Sequence, residues 1–330
     1  MPGPTRVAMR CCLLVRLGGI VVLGSLLSAG APVAQPGTWR AYPSLREVTA
    51  LAASGEEVWV ATTGGVYGYN PASGEVRRFT PVEGLFGTEA RTMAFDAARN
   101  ALWIGYAEGV LDRLDGATGA VTSFYDVARA TQYAARGINR IAVRGDSLLL
   151  STDFGLVVFD AGRGEVRASY TRLGPLAPAT AVRAALVAPL PEGGLGLWLA
   201  ADGGVVRAPL DGTVLEQPSA WTADPGSPLT GRALALYQGL VVAGTARDVY
   251  LRNESGSWER LFFTDDQVFD VIADGDRLFA QAPFYLHVWR RGAYGFVLDI
   301  RNAEAHRALT AGPGGTLWVG DLRQGLLEVP

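Results

Sequence analysis

The chain has 330 residues, of which 49% are hydrophobic and 18% charged, and its formal net charge is −3. This apolar and weakly charged composition excludes intrinsic disorder, and a pI of about 5.6 argues against a basic nucleic-acid-binding protein. The 42 glycines disfavour a long helical bundle, so the composition favours a turn-rich β protein with a large core.

The first 34 residues have the order of a secretory signal peptide. Three arginines precede an apolar stretch at 17–27, and small residues then lead to Ala34, near which we expect cleavage. The apolar stretch is short for a membrane span of about 20 residues, and an uncleaved signal anchor is the alternative. Cys11 and Cys12 are the only cysteines, so residues 35–330 hold no disulfide, thiolate metal site or cysteine nucleophile. We expect an exported protein without a transmembrane span.

Residues 48–79 contain four short segments that are apolar or alternate between apolar and polar residues. The segments are Val48–Ala52, Val58–Thr62, Val66–Tyr69 and Glu75–Phe79. Glycine, proline, asparagine or serine stands at each boundary, a pattern typical of antiparallel strands joined by tight turns. The unit therefore predicts one four-stranded sheet, with strands a to d in chain order.

The same unit recurs to the end of the chain. Gly65, Gly109, Gly155 and Gly204 mark the turn between strands b and c and lie 44, 46 and 49 residues apart. A period in this range is typical of a β-propeller with four strands in each blade, and the units number seven. One position on strand b carries tryptophan in four blades, and we expect these side chains to form core between blades: Trp59, Trp103, Trp198 and Trp318.

The seventh unit ends after strand c, and an unassigned strand precedes the first unit. This strand, Thr38–Tyr42, resembles strand d of the fifth unit at Ser257–Leu261. We expect it to complete the last blade, because closure of the ring leaves no exposed sheet edge. The sequence thus predicts an all-β, seven-bladed β-propeller over residues 35–330, with the last blade closed by the N-terminal strand.

The residues that carry most catalytic and metal chemistry are sparse. His287 and His306 are the only histidines, and the repeat places them in different blades. A histidine metal centre or a Ser-His-Asp triad needs a histidine with placed partners, so we predict a non-catalytic protein without metal or cofactor. Two carboxylates that converge at the channel mouth would suffice for a glycosidase or lyase. That enzyme class stays an alternative, although no motif marks a pair.

One position at the start of strand a carries arginine in four blades: Arg91, Arg183, Arg232 and Arg307. Strand a is the innermost strand of a propeller blade, so these side chains would ring one mouth of the channel. Arginine binds carboxylates and phosphates in a bidentate fashion, which favours an anionic glycan or an acidic partner loop as ligand. Alternatively, each arginine caps carbonyls of a neighbouring blade or pairs with an acid such as Glu47, Glu89 or Asp270.

The loops between strands b and c share that face of a propeller. Exposed loops on a rigid scaffold carry much of the binding function of proteins, so these loops form the second part of the predicted binding face. Their candidate residues are Thr62, Thr63, Asp153, Phe154, Asp202, Arg247 and Arg323.

Several segments resemble a known family. WRAYPSLREVTALA at 39–52 is similar to the start of the PorZ family of the type IX secretion system. ATTGGVYGYN at 61–70, followed by FTPVEGL at 79–85, resembles the two-component-regulator propeller repeat that this family uses. Shorter similar segments extend the resemblance over residues 39–330.

The resemblance implies a scaffold in the cell-surface attachment complex, located in the periplasm or at the outer-membrane surface. Its partners would be secretion-system proteins such as a sortase-like protease, to which family members present anionic lipopolysaccharide. Members continue into a second propeller and a C-terminal β domain that is implicated in lipopolysaccharide recognition, whereas this chain ends after one ring. A periplasmic propeller that senses oligosaccharides is the remaining alternative.

Overall fold

The computed structural model describes residues 45–228, 230–263, 267–282, 285–290, 293–299 and 306–329, with backbone alone for 293–299 and 306–307. These residues form seven antiparallel β-sheets, each built from strands that follow one another in the chain. Within them, helix is confined to two single 3-10 turns, Pro218–Ala220 and Pro313–Gly315. The predicted all-β, seven-bladed propeller is confirmed.

The strands of each blade run outward from the channel in chain order. Blade one contains β1 (Val48–Ala53), β2 (Val58–Thr62), β3 (Gly65–Tyr69) and β4 (Val76–Phe79). Blade two contains β5 (Thr92–Asp96), β6 (Ala101–Gly105), β7 (Leu111–Asp115) and β8 (Val121–Phe124). Blade three contains β9 (Ile138–Arg144), β10 (Ser147–Thr152), β11 (Gly155–Asp160) and β12 (Glu165–Tyr170). Blade four contains β13 (Val182–Pro189), β14 (Leu195–Ala201), β15 (Gly204–Pro209) and β16 (Thr222–Ala223).

The remaining three blades follow the same order. Blade five contains β17 (Ala233–Tyr237), β18 (Leu240–Gly244), β19 (Asp248–Arg252) and β20 (Trp258–Phe263). Blade six contains β21 (Asp270–Asp274), β22 (Arg277–Gln281), β23 (Tyr285–Arg290) and β24 (Ala293–Asp299). Blade seven contributes three described strands, β25 (His306–Ala311), β26 (Leu317–Asp321) and β27 (Gly325–Val329).

Burial falls from the middle of a blade to its outer edge. Strand b is buried along its whole length in β2, β6 and β26, which matches its nearly continuous apolar sequence. The outer strand β12 alternates between exposed and partly buried residues, as expected for a strand with one face toward solvent. The polarity pattern of a strand therefore reports its place in the blade.

The tryptophans on strand b form core between neighbouring blades, as predicted. Trp59, Trp103, Trp198 and Trp318 are at most 3% exposed. Trp103 meets Phe159 of blade three edge-on with 5.8 Å between ring centroids, and Trp318 makes a similar contact with Tyr69 of blade one. Truncation of a buried tryptophan to alanine costs about 3–5 kcal/mol, so these rings are a large part of what holds the blades together.

A buried carboxylate ties blade four to blade five. Asp224 follows the short strand β16 and is 2% exposed. It accepts hydrogen bonds from Nε of Arg207, Nε of Arg252 and the indole N–H of Trp258, each at 2.7 Å. A buried charge is tolerated when it is paired and hydrogen-bonded. Asp224 thus anchors a strand that has two residue pairs in its ladder.

The innermost strands close the ring. Each strand a contacts strand a of the next blade, and β25 of blade seven contacts β1 of blade one. Gly320 lies at this last seam, where a methyl group on its Cα would collide with the fully buried Val48. Blades seven and one can approach this closely because position 320 has no side chain.

Two predictions from the sequence fall outside the described residues. The signal peptide at 1–34 and the closing strand Thr38–Tyr42 both precede residue 45. Both stay predictions, and closure by contacts between the inner strands β25 and β1 does not depend on them.

Replacement of Gly320 by alanine should destabilise the ring closure. The added methyl group overpacks the seam at Val48, and overpacking costs about 1–3 kcal/mol. The free energy of unfolding, measured by urea denaturation with tryptophan fluorescence, should fall by this amount. Gly55→Ala is the matched control, because Gly55 is exposed and has open space at its Cβ position; its effect should stay within about 0.5 kcal/mol. Equal stability of the two variants would contradict this account of the seam.

Candidate functional site

Every blade has an extra residue at the start of strand a. In four blades the ladder register skips that residue: Thr49, Asn139, Arg183 and Arg307. In the other three blades its backbone N–H donates, at 2.8 or 2.9 Å, to the carbonyl opposite the following residue: Arg91, Arg232 and Phe269. A β-bulge re-aims the side chain of the extra residue. The four arginines aligned from the sequence therefore occupy equivalent backbone positions in the ring, and Thr49, Asn139 and Phe269 occupy the same position in the other blades.

The bulges bring three of the predicted arginines to one mouth of the central channel. They line a cavity of about 270 Å³ together with residues of blades three and six: Arg91, Arg183, Arg232, Asn139, Arg140, Val268 and Phe269. The side chain of Arg307 lies outside the described residues. Five consecutive blades, two to six, thus contribute to one cavity, which the chain order alone would not bring together.

Aspartates of the b–c loops pair with two of these arginines. Arg91 lies 3.3 Å from Asp153, and Arg183 lies 3.6 Å from the other oxygen of the same carboxylate. Arg183 also contacts both oxygens of Asp202, at 3.1 and 2.6 Å. The backbone N–H of Gly137 donates to Asp153 at 3.0 Å and holds this carboxylate between the two guanidinium groups. The acids expected from the sequence, Glu47, Glu89 and Asp270, are not the partners of these arginines.

Arg232 differs from its two neighbours in the mouth. Its side chain is exposed and forms no ion pair or hydrogen bond with any residue in the part of the chain that the structure describes. Asp265 and Asp266, which precede Phe269 in the chain, lie outside that part. Arg232 is therefore the cation of the mouth that no described carboxylate neutralises.

Two of the bulge residues cap the neighbouring blade instead. The Thr49 hydroxyl donates to the carbonyl of Ala90 at 2.8 Å, and the side-chain amide of Asn139 donates to the carbonyl of Val182 at 2.9 Å. Carbonyl capping, which the sequence raised as an alternative for the arginines, is thus seen for Thr49 and Asn139 at the equivalent positions, whereas Arg91 and Arg183 pair with aspartates.

Two of the predicted loop residues are buried. The hydroxyl of Thr62 donates to the carbonyl of Gly65 at 3.0 Å and accepts the N–H of Gly64 at 3.1 Å. Phe154 is 3% exposed and stacks on Tyr133 with 4.3 Å between ring centroids. Both side chains shape their loops and are turned away from solvent.

The other loop candidates lie at the surface of the same face. The hydroxyl of Thr63 donates to the Glu47 carboxylate at 3.1 Å, and Arg247 and Arg323 are exposed. Asp153 and Asp202 contact the arginines of strand a, as described above. The structure therefore joins two of the strand-a arginines, Arg91 and Arg183, and the b–c aspartates into one network.

An ion pair crosses the channel between blades three and six. Nη1 of Arg140 lies 2.6 Å from Oδ1 of Asp270, and Nη2 donates to Oδ2 at 3.0 Å, which is a bidentate arrangement. Attraction by the Asp270 carboxylate raises the pKa of Arg140. Both residues also line the channel cavity of about 500 Å³ that the inner strands enclose.

Sequence reasoning missed this pair, although the aligned blades contain a signal for it. Arg140 and Asp270 each follow the bulge residue, and they are the two charged members of a row of otherwise small side chains: Ala50, Thr92, Ala184, Ala233 and Ala308. Their opposite charges can form an ion pair only when seven blades form a ring, because the ring places blades three and six on opposite sides of the channel.

His287 is a buried residue of strand β23. It is 3% exposed, and its ring stacks on Phe262 with 5.4 Å between centroids. Burial lowers the pKa of His287 from 6.5 to about 4, so the imidazole is neutral at neutral pH. Within the described residues, no three His, Cys, Asp or Glu side chains are placed to hold a metal ion. Apart from Arg232, the charged groups described at the mouth pair with each other.

Comparison with known proteins finds a family match for part of the chain. Residues 58–208 match the family model for the type IX secretion protein PorZ, N-terminal β-propeller domain. Residues 58–208 are thus similar to the propeller of PorZ proteins. The resemblance seen in the sequence is thus confirmed over these residues, whereas no curated protein matches the chain by sequence.

Solved structures share the fold of this chain at low sequence identity. PorZ of Porphyromonas gingivalis superimposes with a TM-score of 0.69 at 21% identity, over 88% of this chain and 39% of that one. The extracellular domain of a putative hybrid two-component system, BT3049 of B. thetaiotaomicron, gives 0.68 at 15% identity, over 86% and 40%. The WD40 repeats of RRP9 give 0.66 at 13% identity, over 88% and 96%.

This chain spans about two fifths of the length of the first two of these proteins. Identities below 25% establish the shared fold and leave ligands and partners to be argued separately. Among the described residues, no helix is long and apolar enough to cross a membrane.

Loss of one member of the cross-channel pair should destabilise the propeller. Asp270→Asn and Arg140→Met should each lower the free energy of unfolding by about 1.5–3 kcal/mol, because each leaves a partly buried partner unpaired. The double variant should lose clearly less than the sum of the two, as expected for residues in contact. Chemical denaturation of the four proteins measures this coupling. The exposed pair Arg163–Glu165, 3.7 Å apart, is the control and should show coupling near zero; additive losses at Arg140 and Asp270 would refute the bridge.

Acid should destabilise the propeller through His287. Its pKa is about 4 in the folded state and near 6.5 when unfolded, so the unfolded chain binds a proton first as the pH falls. The stability associated with the neutral ring is therefore present above pH 6.5 and is lost between pH 6.5 and 4. His287→Phe should remove this part of the pH dependence of the unfolding free energy. An identical pH profile of the variant and the parent would show that His287 does not contribute.

Proposed function

We propose that this chain is a non-catalytic scaffold of the type IX secretion system that binds partner proteins after export, in the periplasm or at the outer-membrane surface. The match of residues 58–208 to the PorZ N-terminal propeller carries this proposal. PorZ of Porphyromonas gingivalis is described as an essential bacterial surface component of that system. The partners we propose are secretion-system proteins such as a sortase-like protease.

The face that holds the mouth is the proposed docking surface. Arg232 and Arg247 are exposed there. Phe86 and Tyr125, in two d–a loops of the same face, are 38% and 41% exposed, with 6.2 Å between their ring centroids. Aromatic residues and arginine are enriched at the centres of protein interfaces. This combination supports a protein partner on this side of the ring.

We further propose that this face handles an anionic lipopolysaccharide. The support is electrostatic: an acidic chain of net charge −3 exposes at its mouth an arginine, Arg232, without a described counter-ion. Guanidinium groups bind carboxylate and phosphate oxygens through paired hydrogen bonds.

An oligosaccharide sensor is the second candidate. It is favoured by the similar TM-score of the BT3049 extracellular domain, which belongs to a putative two-component system. A sensor of this kind would bind oligosaccharides and recruit no secretion protein, which separates it from the scaffold by experiment.

Affinity purification from intact cells distinguishes the two candidates. A tagged copy, expressed in a bacterium with a type IX system and cross-linked before lysis, should recover the sortase-like protease or outer-membrane secretion proteins, identified by mass spectrometry. Recovery of no secretion-system protein, with neutral oligosaccharides binding to the purified chain, would overturn the scaffold and favour the sensor.

Paired charge reversals test the docking face. Arg232→Glu with Arg247→Glu should reduce recovery of the secretion partners several-fold, because charge complementarity governs encounter. Arg144→Glu with Arg163→Glu is the matched control, since both arginines are exposed on the opposite face of the ring. Equal loss in both double variants would place the docking surface elsewhere.

A further inference from the structure

The charges in the mouth leave one cation unbalanced among the described residues. Four arginines line the cavity: Arg91, Arg140, Arg183 and Arg232. Three aspartates pair with the first three of them: Asp153, Asp202 and Asp270. The remaining positive charge belongs to Arg232, so one bound group with a single negative charge would neutralise the described residues of the cavity.

The wall beside Arg232 is apolar. Phe269, the bulge residue of blade six, lines the cavity and is half-buried, and Val268 beside it is fully buried. An aromatic ring in the wall of a cavity offers contact area to the C–H groups of a sugar. A nearby cation fixes the orientation of the bound ligand, and ligand pockets commonly combine an apolar wall with a few such polar groups. A peptide carboxylate would leave this wall unused.

We propose that the mouth binds one carboxylated sugar residue, a uronate, with Arg232 as the bidentate partner of its carboxylate and Phe269 against its ring. The inference rests on the proposed function, since it names the acidic group of the anionic glycan. The inference adds which residues bind that acidic group and which charge of the group they favour.

The charge balance selects a carboxylate over a phosphate. A uronate brings one negative charge, which matches Arg232. A phosphate monoester carries about −1.5 to −2 at neutral pH, and the excess would repel the carboxylates of Asp153 and Asp202 on the same rim. Arg140 cannot serve as a second cation for it without losing its bidentate pair with Asp270 across the channel.

Calorimetric titration of the purified full chain with tetragalacturonate tests the site. The acid should bind, and its fully methyl-esterified form, which differs by removal of the charge, should bind about 10- to 100-fold more weakly, as expected for loss of a charge-assisted hydrogen-bonded pair. Arg232→Ala should weaken binding of the acid by a similar factor and leave binding of the ester unchanged. The affinity of Arg232→Lys for the acid should lie between those of the parent and Arg232→Ala, because lysine keeps the positive charge but loses the bidentate geometry of the guanidinium group.

A gain of affinity separates this site from a merely structural arginine. Asp202 is exposed and pairs with Arg183, so Asp202→Asn should tighten binding several-fold by removing a competing carboxylate. Arg144→Ala, on the opposite face, is the control and should bind the acid like the parent. Circular dichroism and thermal unfolding confirm that each variant is folded.

Three outcomes would overturn the inference: equal binding of acid and ester, no effect of Arg232→Ala, or tighter binding of mannose 6-phosphate than of galacturonate. None of these outcomes depends on the recovery of secretion proteins. The sugar site can therefore be refuted while the scaffold proposal stands, and the reverse is also true.

Discussion

No blade of this molecule can bury both faces of its sheet alone, and each depends on the blade beside it. The rings of Trp103 and Trp318 fill the space between one sheet and the next, and Gly320 allows the last sheet to reach the first. Because packed interiors tolerate neither voids nor overlap, the number of blades and the width of these seams are set together. The channel, its mouth and the groups that face each other across it exist as a consequence of that closure.

The bulge at the start of strand a places side chains at the candidate binding site. A β-bulge re-aims the side chain of the extra residue, and five of these bulge residues line one cavity at the mouth. Polar residues there hold the ring together, as Thr49 and Asn139 do by capping the next blade. Arg91 and Arg183 are held by aspartates from neighbouring loops. Among the described residues, the same geometry leaves one arginine of the mouth, Arg232, without a carboxylate partner.

Much of the site could be foreseen from the sequence, but its charge balance could not. The repeat aligned the arginines and placed Asp153 and Asp202 in loops of the same face, since register within a repeat is a local property. Their pairing depends on distances between blades that no local pattern contains. The burial of Phe154 has the same origin: a residue of a short loop is expected to be exposed, but the neighbouring loop that carries Tyr133 packs over it.

The amino-acid sequence by itself determined the strands, their turns, the seven-fold repeat and the tryptophan core, because alternation, turn residues and periodicity act over a few residues at a time. It also carried enough family signal at residues 58–208 to mark a PorZ-type propeller. Tertiary structure alone decided that Arg140 meets Asp270 across the channel, 130 residues away in the chain, and that Asp224 joins two blades. Ring closure brings together groups that are remote in sequence, and the free energy of a charged pair depends on that proximity and on its partial burial.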